Sequence, residues 1–148
     1  MLRSILLTLT FSALLAGCGG DDGAPAWDGP ERPFAADGTV SVADFNDYAD
    51  EVDEPWERSP VLLAGEFLRL DRTQAFRTSV EAEAPGEGNE TASVTATLQG
   101  LEDDSVAAAR YVLGLERDGE VWRLASAMWA QRCQAGRGHE DFSTELCT

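Results

Sequence analysis

Three cysteines, one histidine and eleven arginines carry most of the reactive chemistry open to this 148-residue chain, which contains no lysine. Without lysine there is no P-loop ammonium, Schiff base or Ser-x-x-Lys dyad. A single imidazole, His139, rules out multi-histidine metal centres. Acids outnumber bases 27 to 11, a formal charge of −16, so no broad basic face is available for nucleic acid. No Gly-x-Ser-x-Gly, His-Glu-x-x-His or Walker pattern occurs. The expectation is a non-enzymatic protein without cofactor or metal; a hydrolase built on a carboxylate pair is the remaining catalytic alternative.

One stretch departs from the acidic background. Residues 121–139 hold Arg123, Arg132, Arg137 and His139, with Trp122 and Trp129, and no acid. Guanidinium forks beside an aromatic platform suit carboxylates, phosphates or sugar rings. Strand alternation adds Arg110 to this set and sets Arg123 and Trp129 on the sheet face opposite Trp122 and Leu124. Arg110, Arg123, Trp129, Arg132, Arg137 and His139 are therefore the candidate binding face. Pairing of these arginines with the chain's own carboxylates is the plainer alternative. Asp44, Asp47, Asp50, Glu51, Asp53, Glu54 and Glu57 lack the Asp-x-Asp-x-Asp-Gly spacing that wraps a calcium ion, and read as a solvated acidic face.

The N-terminus is an address. Arg3 precedes an apolar run at residues 5–15. Eleven helical residues span roughly 16 Å, too short for a hydrocarbon core of roughly 30 Å. The run is a secretory signal segment ending in Leu15-Ala16-Gly17-Cys18. These four residues resemble the lipobox of bacterial lipoprotein precursors. The resemblance implies cleavage before Cys18 and acylation there, a stable anchor at ~0.8 kcal/mol per buried CH₂. Gly19, rather than Asp, follows the cysteine. In a Gram-negative host that implies the outer membrane, facing the periplasm.

Residues 18–40, rich in Gly, Pro, Asp and Ala, read as the lipidated cysteine and a flexible acidic tether; of its anomalies Trp27 and Phe34, one is expected to pack back on the domain or rest at the lipid interface, with a docking peptide for a partner as the alternative. Residues 41–148 are expected to form a single domain. Ser41-x-x-Asp44 reads as a capping box opening a helix, and Ser59-Pro60 as the start of a second over residues 61–70, with a buried strand as the alternative there. The hydrophobic period then changes to two. Strands follow on either side of Pro85-Gly-Glu-Gly-Asn-Glu90, and a hairpin is signalled at Asp118-Gly119. A turn at 118–119 sets Leu115 opposite Trp122, Leu113 opposite Leu124, Tyr111 opposite Ser126 and Ala109 opposite Met128. A turn near Asp103-Asp104 sets Leu98 opposite Ala109 and Val94 opposite Leu113. Both place the same apolar set on one face.

The expected fold is therefore α+β: two N-terminal helices on a four-stranded antiparallel meander, resembling a cystatin or NTF2-like roll. Small residues Ala92, Ala96, Ala107 and Ala109 either leave a cavity beneath the helices or let them pack close. Cys133 and Cys147 remain as a pair in an oxidising compartment, and one disulfide is expected between them. The run from the Trp-bearing strand through Arg132-Cys133 and Gly136-Arg-Gly-His139 to Cys147 resembles C-terminal segments of small bacterial envelope proteins of no known activity. The functional expectation is a lipid-anchored envelope protein that binds a periplasmic protein or glycan; a small-ligand carrier is the alternative.

Overall fold

The computed structural model describes residues 25–83 and 88–148. The leader and Cys18 lie outside the described residues, as do Ala84 of the expected strand and positions 85–87 of the expected loop. Two helices, α1 (Ala43–Val52) and α2 (Pro60–Phe67), flank a 3-10 turn at Pro55–Arg58. Four strands follow: β1 (Ala75–Glu83), β2 (Thr91–Leu101), β3 (Val106–Asp118) and β4 (Val121–Cys133). They form one antiparallel sheet in the order β1-β2-β3-β4, the α+β meander expected from the alternation.

The helix ends follow local chemistry. Pro60 occupies the first turn of α2, where its missing N–H is not needed, and the Ser59 hydroxyl accepts from the Leu62 N–H. Residues 61–70 are therefore helical at their start, although the helix stops at Phe67. The expected Ser41 capping box does not form. Val42 holds the N-cap position without a side-chain bond, while the preceding Val40 N–H is bonded to Ala127 O on β4. A capping box forms instead between Glu54 and Glu57, opening the 3-10 turn.

The β2–β3 register matches expectation, with Leu98 opposite Ala109, Ala96 opposite Tyr111 and Val94 opposite Leu113. The β3–β4 register does not. Asp118 pairs with Val121, so the two loop residues are Gly119 and Glu120, and Gly119 takes φ +61°. Glycine thus fills the first central turn position, the type II′ arrangement, rather than the second. Leu115 faces Leu124, but the next pair is Gly114 with Ser126. Ala125 is an extra residue, a β-bulge. Gly114 accommodates it: a Cβ there would lie 2.6 Å from Ser126 Oγ. Beyond the bulge the buried set changes parity from Trp122 and Leu124 to Ala127, Trp129, Gln131 and Cys133.

The core lies between the helices and one sheet face. Phe45, Leu63 and Phe67 meet Val94, Leu113 and Leu115, all essentially inaccessible to solvent. The expected tether joins this core. The Trp27 indole packs against Phe45, Tyr48 and Phe67, and its N–H donates to Phe67 O at 2.8 Å. Phe34 packs against Tyr111 and Trp129. The packed domain therefore reaches back past the boundary expected at residue 41 to Trp27, because two aromatic rings of the expected tether bury themselves. Residues 25–40 are called the strap below.

Phe67→Ala should cost about 3–5 kcal/mol in urea unfolding, because it opens a cavity under Trp27 and Phe45. Phe76→Ala, at a β1 position 94% exposed, should change stability by no more than about 0.5 kcal/mol.

Candidate functional site

The six residues expected on one binding face are not brought together. The bulge at Ala125 turns Trp129 to the buried side, against Phe34 of the strap. Arg123 is drawn to the helical layer, where it is ion-paired with Asp50 of α1 and with Glu57 of the 3-10 turn, the latter at 3.1 Å. Glu57 is 2% exposed, so one member of the expected solvated acidic face is a buried counter-ion. Its second oxygen accepts from the Glu54 N–H at 2.6 Å, which leaves neither oxygen unpaired.

Arg110 and Arg132 do share the outer sheet face. The Arg110 guanidinium lies 3.8 Å from the centroid of the Phe142 ring and that of Arg132 lies 5.7 Å away. Their cationic faces are thus covered by the C-terminal loop rather than open to a ligand. Arg137 reaches Asp104 at 3.3 Å and the Thr148 carbonyl at 3.2 Å.

That loop is tied down by several bonds. The Cys133–Cys147 disulfide forms with Cα atoms 5.4 Å apart. Gln131 exchanges both backbone bonds with Ser143, and its side-chain amide donates to Glu145 O at 2.9 Å. His139 Nδ1 lies 2.7 Å from Asp141 O and Nε2 lies 2.8 Å from Glu145 O. Carbonyls only accept, so both ring nitrogens donate only as the imidazolium. The Glu145 and then the Asp141 carbonyl accordingly raise the His139 pKa. The ligand atoms of Cys133, His139 and Cys147 fall within 4.8 Å of one another, but the sulfurs are bonded to each other and the imidazole to carbonyls.

The open site lies elsewhere, along the strap. A groove of about 850 Å³ runs between the strap and the loop residues Thr144–Leu146, with Trp129 and Gln131 at its floor. Phe34, Pro33, Ala36 and Leu146 give it an apolar lining, and Leu146 is 78% exposed. Arg32 lies at one side and also lines a separate cavity of about 280 Å³ bounded by Leu68, Arg69, Leu98 and Tyr111. There the Arg32 guanidinium donates to the Tyr111 hydroxyl at 2.7 Å and stands 4.8 Å from the Phe34 centroid. Burial pushes the Tyr111 pKa up, so the phenol keeps its proton.

Sequence reasoning picked Trp129 for this region but passed over Arg32 and Leu146. Arg32 sits in a segment with the composition of a linker, and only the cross-chain contact with Tyr111 marks it. Comparison with family models, curated proteins and solved structures finds no match to this chain.

A raised His139 pKa contributes stability that is full below about pH 6.5, the unfolded value, and is lost as pH rises through the folded one. Amide exchange in the loop should therefore quicken as pH rises above about 6.5, beyond the intrinsic rate increase. In His139→Gln this extra dependence should vanish.

Proposed function

We propose that the protein is a non-enzymatic binding module of the bacterial cell envelope. Acylation at Cys18 would hold it to the membrane, expected to be the outer one, facing the periplasm. The observation that carries the binding reading is the groove over Trp129. Its volume falls within the range of ligand sites, and the exposed Leu146 rims it. A segment of a partner protein bearing an apolar side chain suits it, with Arg32, Asp103 and Glu145 supplying polar contacts at the sides. The groove takes over the role first assigned to the arginine face.

Two observations support a role without catalysis. His139 engages both ring nitrogens with backbone carbonyls, and Cys133 and Cys147 are bonded to each other, so none offers a free base or nucleophile. The helices, meander and interior of the domain also suit a cystatin or NTF2-like roll, an architecture that serves many unrelated binding functions.

Site-specific photo-crosslinking in intact envelopes tests this reading. A photoreactive residue at Ala36 or Leu146 should capture one discrete protein, whereas the same probe at Leu62, 57% exposed on α2, should not. Cys18→Ser should release the protein from the membrane fraction. Equal capture at all three positions, or none, would contradict the groove. A Cys18→Ser protein that stays membrane-bound would contradict the anchor.

A further inference from the structure

The cavity of about 280 Å³ between the strap, the end of α2 and the inner sheet face has an unbalanced hydrogen-bond inventory. Three guanidiniums line it: Arg32, Arg69 and Arg72. Arg69 is paired with Glu66 and Asp71, both at 2.7 Å, and Arg72 with Asp28 at 3.1 Å. Among the described residues Arg32, an exposed side chain, alone of the three has no carboxylate partner. Its bond goes to the Tyr111 hydroxyl, which is an acceptor there and still has a hydrogen to donate. Tyr111 is 3% exposed, and that hydrogen meets no acceptor among the described residues. Arg69 Nε is likewise buried without an acceptor. Leu68, Leu98, Leu101 and Ala109 supply an apolar wall, with Thr73 and the Arg72-paired Asp28 as the further polar side chains.

We propose that this cavity binds a small carboxylic acid with an apolar body, its carboxylate received by Arg32 and the Tyr111 hydroxyl. The missing partner is one negative charge with acceptor oxygens, which is what a monocarboxylate supplies. A second charge on the ligand would face leucine walls, where an unpaired charge is costly. At about 30 Å³ per water-sized volume, the cavity of about 280 Å³ holds roughly nine heavy atoms, close to the ten of an eight-carbon acid. Arg69 takes φ +49°, a left-handed conformation unusual for a side-chain-bearing residue, and such conformations concentrate at ligand sites. The cavity shares only Arg32 with the groove over Trp129, so the proposal does not depend on a protein partner there.

The test is titration of octanoate into residues 19–148, a fragment that holds the whole described core and the disulfide, followed by calorimetry and by amide chemical shifts. Octanoate should fill one saturable site and shift the Leu98, Leu101 and Tyr111 amides. Arg32→Gln should weaken binding by about tenfold or more, and Tyr111→Phe, which keeps the ring, by several-fold. Arg77→Gln, at an exposed β1 position outside the cavity, should leave the affinity unchanged. Octanol, without the charge, and inorganic phosphate, without the apolar body, should each bind at least about tenfold more weakly. The proposal is overturned if octanoate shows no saturable binding, if octanol or phosphate binds as tightly, or if Tyr111→Phe leaves the affinity unchanged. Should Arg32→Gln fail to fold by circular dichroism, the Tyr111→Phe result decides.

Discussion

The outer edge of β4 is the constraint on which the rest of the structure depends. An edge strand presents unpaired N–H and C=O groups that must be satisfied or shielded. Here three segments from different parts of the chain do so in succession. The Asn46 side chain brackets Leu124, accepting from its N–H at 3.2 Å and donating to its carbonyl at 2.9 Å. The strap then bonds Ala127 and Trp129 through Val40 and Gly38. The C-terminal loop bonds Gln131 and Cys133 through Ser143 and His139. The bulge at Ala125 falls where the partner changes from helix to strap. Its change of parity is what turns Trp129, Gln131 and Cys133 inward, toward the strap and the loop. The groove is thus a consequence of how one strand edge is covered.

Charge is organised around the same layer. In a chain of −16, the arginines mostly meet internal partners: Arg123 binds Asp50 and Glu57, Arg69 binds Glu66 and Asp71, Arg137 binds Asp104, and Arg110 lies on Phe142. Removing either member of the Arg123–Glu57 pair would leave a charge in a low-dielectric setting, so this pair specifies where the 3-10 turn sits against the sheet. Arg32 differs. Its neighbours are a phenol and a phenyl ring, and it faces both open spaces along the strap.

Much of the fold was legible because it obeys local or strictly periodic rules. Alternation between Ala92 and Leu98 against Ala109 and Leu115 defines one register, and a slip of one residue would expose every apolar side chain. The Ser59-Pro60 pair opens α2 through a bond three residues long. The Cys133–Cys147 bond was legible as the pair left once Cys18 is set aside as the expected lipidation site. What escaped prediction is what periodicity cannot carry. A bulge adds one alanine among alanines and serines and leaves no compositional trace. Trp27, Arg32 and Phe34 lie in a stretch whose composition is that of a linker, and only contacts across 40 or more residues order them. The candidate site was legible only in part, since Trp129 was identified but placed on the wrong face by an alternation carried through the bulge.

The dependence on the bulge has a direct test. Deleting Ala125 removes the extra residue and sets Trp122, Leu124, Ala127, Trp129, Gln131 and Cys133 in one uninterrupted alternation, so Trp129, Gln131 and Cys133 stay on the inner face without a bulge. Urea unfolding of the deletion variant, followed by tryptophan fluorescence together with a free-thiol assay, reads both consequences. The expected result is native emission and an intact Cys133–Cys147 disulfide, with stability changed by no more than about 1 kcal/mol. A deletion variant with red-shifted emission and free thiols at Cys133 and Cys147 would contradict it.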